Sequence, residues 1–162
     1  MRSIRLFTPV LVHVLAIAAC TDSGPASFGD DLTHPQLPAR GTADAPAWLA
    51  ASYYHAWRCE ATQHPGRSPS PHGKTRICNN DALHAAVAGD FPAGAASVKE
   101  IYDGDAIVTY AVARKLTEGA GGDSWYWYEG NPDKVYANGE GADNCTGCHT
   151  GAPRDFVFTI VP

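Results

Sequence analysis

One segment near the C-terminal end of the chain combines residue types that can hold a metal cofactor. It runs Cys145-Thr146-Gly147-Cys148-His149. Two cysteines at this spacing can each form a thioether with one of the two vinyl groups of haem, and the adjacent histidine then ligates the iron. The spacing therefore predicts one covalent haem c, with Cys145, Cys148 and His149 as cofactor-binding residues and His149 as the proximal iron ligand.

Three other interpretations of this segment stay open at the level of sequence. A thioredoxin-like pair would open a helix after a strand in a βαβ unit, whereas a Gly/Asp-rich loop precedes Cys145 here. A zinc site would need a further ligand from Cys59, Cys78 or a distant histidine. The motif can also occur by chance, without binding any ligand.

Composition restricts what can lie on the other side of the iron. The only methionine is Met1, which a cleaved leader removes, so a His/Met electron carrier is excluded. The remaining possibilities are an open, five-coordinate iron or a sixth ligand from a lysine, a tyrosine or one of His34, His55, His64, His72 and His84. His55 and His84 fall on predicted helices and are expected to pack or lie at the surface, and the other three are expected to be solvated. An open iron can bind nitric oxide, carbon monoxide or a small nitrogen substrate.

The N-terminal segment has the features of an export signal. Two arginines precede an apolar run at residues 11–19, so residues 1–19 are predicted to be a signal peptide, too short to span a bilayer as a mature helix. Small residues before Cys20 resemble the lipobox of bacterial lipoproteins, in which this cysteine is acylated. We therefore expect Cys20 to be a lipid anchor in the bacterial periplasm, with Thr21 favouring the outer membrane. The alternative is an ordinary secretory signal.

The rest of the chain is predicted to be a tether followed by one domain. Residues 20–45 are rich in Pro, Gly and Ser and lack apolar periodicity, which is typical of a flexible tether. Residues 46–162 are long enough for one globular domain. The net charge of −5 and the lack of a basic cluster interleaved with aromatics exclude nucleic acid as a partner.

The elements predicted for this domain place it in the α+β class, as a small antiparallel sheet packed with two or more helices. Apolar spacing predicts a helix from Pro46 to Trp57, and a second helix over residues 81–88 that Gly89 ends. Alternating patterns predict that the sheet begins with a hairpin, over residues 96–102 and 106–116, and continues with strands over 124–128 and 155–161. Loops are predicted at residues 63–74, 118–123 and 131–144.

Three segments, taken in order, resemble the cytochrome P-460 and cytochrome c′-beta family. They are residues 91–94 with 98–100, residues 122–128, and the cysteine motif with its continuation Asp155-Phe156-Val157-Phe158-Thr159. The resemblance covers residues 48–161 and implies a small antiparallel sheet with helices, often paired as a homodimer, around a five-coordinate haem. In the P-460 branch a lysine is cross-linked to the haem and the protein oxidises hydroxylamine. In the c′-beta branch the cross-link is missing and phenylalanines line a pocket that admits small gases.

The resemblance also implies roles for individual residues. Lys99 is the candidate for the haem cross-link, with an outward-facing strand lysine as the alternative, and Lys115 is a weaker candidate. Glu140 and Asp143, just before the motif, are candidate proton carriers or simply solvated acids. The candidates for the pocket lining, or else for ordinary core, are Phe91, Val98, Ile101, Phe156 and Phe158.

Cys59 and Cys78 depart from the family pattern. In an oxidising compartment we expect them to pair as a disulfide that closes a loop of about 20 residues.

Taken with the family resemblance, the sequence predicts an exported haem c protein that binds or oxidises hydroxylamine or nitric oxide and exchanges electrons with a redox partner protein. The alternatives are a non-catalytic gas-binding or electron-relay cytochrome, and a structural or zinc-binding lipoprotein without haem.

Overall fold

The computed structural model of the protein describes residues 45–68 and 70–162. The predicted signal peptide, Cys20, His34 and nearly all of the predicted tether lie outside the described residues, so these stay predictions. The described chain has an α+β fold, with a six-stranded antiparallel sheet and three α-helices. In this part of the chain no helix has the length and apolar character needed to cross a membrane.

The strands follow one another across the sheet in chain order, so that each one pairs with the next. The predicted hairpin is confirmed, with Asp103 opposite Ala106 at its turn, and so is the aromatic strand after it. The strands are β1 (Arg58–Cys59), β2 (Lys74–Asn79), β3 (Ala96–Asp103), β4 (Ala106–Lys115), β5 (Trp125–Gly130) and β6 (Val135–Glu140).

The α-helices are short: α1 (Ala45–Ala50), α2 (Asp81–Ala85) and α3 (Asp143–His149). The first helix starts at the last residue of the predicted tether and does not reach Trp57. Ser52 adopts a left-handed conformation with φ 58°, and a separate 3-10 turn, Tyr53–Ala56, follows it. Helix α2 ends before residue 88 because the Arg154 guanidinium binds the backbone carbonyls of residues 86, 88 and 89, which satisfies them outside a helix.

Three predictions about the sheet are wrong. The sheet begins with β1 and β2 rather than with the hairpin. These two segments have little apolar alternation in the sequence, and a cross-strand disulfide joins them. Strand β6 lies within the predicted loop 131–144, where it forms a largely exposed edge of the sheet. Residues 155–161 form no strand, since Asp155 and Phe156 have φ values of 35° and 64° and only an isolated bridge joins Arg154 to Val157.

Each face of the sheet carries its own core. Helix α1 and Tyr54 pack on one face, against Val98 of β3 and Val112 of β4. On the other face, helix α2 packs with Phe91 against an aromatic surface that includes Trp125 and Trp127. Because strand side chains alternate between faces, this second face also receives Lys99 of β3.

The predicted disulfide between Cys59 and Cys78 is present. The two cysteines lie directly opposite each other in β1 and β2, and Cys78 is fully buried. The bond therefore closes the base of the loop that joins these two strands.

Candidate cofactor site

Helix α3 places the cysteine–histidine motif on one side of the helix. Residues at positions i, i+3 and i+4 lie on the same helical face, and Cys145, Cys148 and His149 have this spacing. All three line one cavity of about 330 Å³, within the range of roughly 300–1,000 Å³ that is common for small-molecule sites. The loop predicted over residues 131–144 leads directly to this motif, and no sequence pattern indicated this helix.

The opposite wall of the cavity comes from four neighbouring strands. Ile77, Lys99, Ala111 and Glu129 stand directly opposite one another across β2, β3, β4 and β5, and all four line the cavity. Ala111 separates the lysine from the glutamate and has too short a side chain to fill the space between them. Strand register therefore brings an amine and a carboxylate to the same cavity as His149.

The imidazole of His149 is held in one orientation. Its Nδ1 lies 2.6 Å from the backbone oxygen of Phe156, and because a carbonyl only accepts, Nδ1 donates and Nε2 keeps its lone pair. The ring centroid lies 4.6 Å from that of Trp127 and 5.3 Å from that of Phe158. Burial lowers the pKa of His149, so the ring is a neutral, oriented imidazole, which is the form that binds metals.

The two cysteines of the motif are free thiols. Burial, helped by the charge of Glu129, raises the pKa of Cys145 to about 11, so this residue is a thiol at neutral pH. Thioredoxin-like cysteines have a lowered pKa and lie in βαβ units, whereas the sheet here is antiparallel throughout the described residues. Both observations argue against a thiol–disulfide exchange site.

The two cysteines that could have completed a zinc site are not available as ligands. Cys59 and Cys78 are bonded to each other and cannot bind zinc as thiolates. Within residues 45–68 and 70–162, no three His, Cys, Asp or Glu side chains are grouped so that they could hold a metal ion.

Among the described residues, four titratable side chains line the cavity besides His149 and the two motif cysteines: Arg67, His72, Lys99 and Glu129. The Nδ1 atom of His72 lies 3.6 Å from Oε1 of Glu129. Burial lowers the pKa of Lys99, lowers that of His72 to about 4 and raises that of Glu129. The shifts of Lys99 and Glu129 move their pKa values toward neutral pH, which brings these two groups closer to exchanging protons with a bound ligand, whereas the shift of His72 keeps its imidazole neutral.

The histidines predicted as possible sixth ligands occupy different positions. His72 is not solvated as predicted, since its side chain is only 14% exposed and lines the cavity. His55 contacts Glu100, His64 contacts Glu60, and His84 contacts the backbone oxygen of Val161, and none of these three lines the cavity.

Some of the charged residues predicted for the site line the cavity and others do not. Lys99 lines the cavity, whereas Lys115 does not, because its ammonium is buried 2.8 Å from the carboxylate of Asp155. Glu140 and Asp143 are exposed and do not line the cavity, since they flank the turn that leads into α3. The carboxylate at the site is Glu129 instead. Its signal in the sequence is the alternation of β5, which places Glu129 on the same face as Trp127.

Of the five apolar candidates, only Phe158 lines the cavity. Val98 lies on the opposite face of the sheet, and Phe91 packs against Trp125 at a ring distance of 6.1 Å. Ile101 lies near the far end of β3, next to a bulge. Phe156 contributes its carbonyl to His149 rather than its ring to the cavity wall.

Comparison with protein-family models, curated proteins and solved structures gives no match to this chain. The functional assignment therefore rests on the residues of the site and their arrangement.

Proposed function

We propose that this protein is a c-type cytochrome that binds one haem through Cys145, Cys148 and His149. The other side of the iron would be open to small nitrogen species, hydroxylamine or nitric oxide, which the protein binds or oxidises. The observation that carries the proposal is the neutral, oriented imidazole of His149, in a cavity that both free cysteines of the motif also line.

The residues present fit a covalently attached haem. Two free thiols and the imidazole lie on one face of α3, as thioether formation and iron ligation require. Small residues, Ser97, Ala111 and Ala113, line the facing wall and leave room for a planar group, while Trp127 packs beside the histidine. When bound, the haem would supply a redox-active iron that His149 holds from one side.

The polar wall of the cavity supports oxidation of hydroxylamine rather than gas binding alone. Oxidation of hydroxylamine releases protons as well as electrons, so the site needs proton acceptors. Glu129 could accept and pass on protons, and Lys99, which lines the same cavity, is the candidate for a cross-link to the haem. Within residues 45–68 and 70–162, Phe158 is the one phenylalanine that lines the cavity, and it packs against His149. Electrons would leave to a redox partner protein.

Covalent haem attachment is the first test. The protein is expressed with haem-maturation machinery, and a denaturing gel is stained for haem. We expect staining of the wild type and no staining of Cys145→Ala/Cys148→Ala. The matched control, Cys59→Ala/Cys78→Ala, removes two cysteines elsewhere and should still stain. A wild type without covalent haem would instead favour the structural or zinc-binding alternative.

The reduced optical spectrum and turnover test the open site. A cross-link predicts a red-shifted Soret band in the wild type that is lost in Lys99→Arg, while Lys134→Arg, in the turn between β5 and β6, keeps it. Addition of hydroxylamine should reduce an electron acceptor. An ordinary high-spin spectrum with no hydroxylamine-dependent reduction would mean a gas-binding or electron-relay protein.

A further inference from the structure

We infer that the buried ion pair between Lys115 and Asp155 is a positioning device for His149. The pair holds the turn at residues 154–157 so that the Phe156 carbonyl accepts a hydrogen bond from the Nδ1–H of His149. The device would set how basic the iron ligand is. This inference rests on the proposed haem function for its consequence, but not for its geometry.

The turn has a backbone conformation that its residues do not favour by themselves. Asp155 and Phe156 both have positive φ values, 35° and 64°, in a region where side chains other than glycine are disfavoured. The N–H of Val157 closes the turn on the oxygen of Arg154 at 2.7 Å. Contacts from outside the turn must therefore maintain it.

The carboxylate of Asp155 supplies such contacts from within the core. It accepts from the Lys115 ammonium at 2.8 and 2.9 Å, from the backbone N–H of Phe91 at 2.8 Å and from Nε1 of Trp125 at 3.2 Å. The two charged side chains are 0% and 1% exposed. The ammonium also donates to a backbone carbonyl and to a serine hydroxyl in the segment that follows β4. Both charges are thus fully partnered, as a buried pair must be.

Arg154 holds the turn from its other side. Its guanidinium donates to three backbone carbonyls just after helix α2 and lies 4.1 Å from the ring centroid of Phe91. With residues 154 and 155 both tied to the body of the fold, the next carbonyl, that of Phe156, faces His149. The Nδ1···O distance of 2.6 Å is short for a hydrogen bond between nitrogen and oxygen.

The bond matters because a histidine that donates its second N–H becomes a more basic metal ligand. A more basic ligand favours the oxidised metal. Loss of the Lys115–Asp155 pair should therefore weaken the bond to Phe156, raise the reduction potential and weaken the bond between iron and histidine.

The test compares Asp155→Asn with Glu100→Gln, because both replace a buried carboxylate by its amide. Glu100 lies among side chains on the opposite face of the sheet. We expect a lower iron–histidine stretching frequency by resonance Raman, and a higher reduction potential, in Asp155→Asn only. A purely structural role would lower stability in both variants and leave both readouts at their wild-type values, which would overturn the inference.

A second variant covers the case in which Asp155→Asn does not fold. Lys115→Met/Asp155→Leu replaces the pair by apolar side chains of similar size and leaves no unpaired buried charge. It should show the same two shifts, and wild-type values in this variant would refute the inference.

The histidine tautomer separates this inference from the proposed function. If the purified full chain carries no covalent haem, the proposed function fails. Nitrogen-15 histidine spectra of that same preparation still test the device. They should show His149 protonated on Nδ1 in the wild type and a mixture of tautomers in Asp155→Asn, whereas identical spectra would overturn the inference.

Discussion

The disulfide between Cys59 and Cys78 allows a quantitative prediction about stability. Its sequence separation of 19 encloses a loop of about 20 residues, for which the chain-entropy relation gives about 11 cal/mol/K of entropy removed from the unfolded chain. At room temperature this corresponds to about 3 kcal/mol. Reduction of the wild-type bond should lower the free energy of unfolding by this amount.

The measurement is equilibrium unfolding in urea, followed by tryptophan fluorescence, with and without a thiol reductant. The thioethers of the proposed haem attachment would resist such reductants, so the reductant acts on this bond. The matched control is Cys59→Ala/Cys78→Ala, which should be insensitive to the reductant. This comparison separates the cross-link from the packing of the buried Cys78 sulfur.

The disulfide also connects to the site. The loop that it closes carries His72 into the cavity wall, where burial lowers the histidine pKa to about 4. A looser loop would expose His72 and return its pKa toward the ordinary value of about 6.5, which an NMR titration measures.

The stability prediction has a clear contrary result. The reasoning would be refuted if reduction of the disulfide changed the free energy of unfolding by less than about 1 kcal/mol, a third of the value from the chain-entropy relation.

Three further predictions concern residues that support the fold. Burial by itself raises the pKa of Glu100, but hydrogen bonds from two tyrosines and a histidine outweigh it and hold the pKa below its usual value. The free energy of unfolding should therefore fall as pH decreases from about 4.5. Glu100→Gln should flatten this pH dependence, measured as urea midpoints. Asn80→Ala should cost about 2 kcal/mol of unfolding free energy in urea, because the side chain caps α2 at Leu83 and also accepts from a β3 amide. Gly141→Ala should lower the thermal midpoint, since φ is +58° and a Cβ would collide with Asp123.

Each of these predictions has an outcome that contradicts it. Equal acid dependence in the wild type and Glu100→Gln would mean that the carboxylate is not stabilised in the folded state. An unchanged urea midpoint in Asn80→Ala would mean that other groups cap α2. A wild-type thermal midpoint in Gly141→Ala would mean that the turn before α3 can relax.

Several features of the fold were predictable because they depend on neighbouring residues. The alternation of β3 and β4 around the Asp103-Gly104 turn predicted the hairpin that the structure shows. The final segment was predicted wrongly, although Phe156 and Phe158 alternate as in a strand. Contacts with Lys115 and Trp125, which are distant in sequence, hold Asp155 in a left-handed conformation that no local pattern indicates.

For the candidate site, too, some features were predictable from the sequence and others depended on the tertiary structure. The sequence by itself predicted the chemistry of Cys145, Cys148 and His149, because thioether formation and iron ligation depend on the spacing of these residues, and it also identified the disulfide partners. Only the tertiary structure decided that Lys99 faces the histidine, that Glu129 is the carboxylate beside it and that Lys115 is engaged elsewhere. The physical reason is that strand register and packing between distant segments select the face on which each side chain lies.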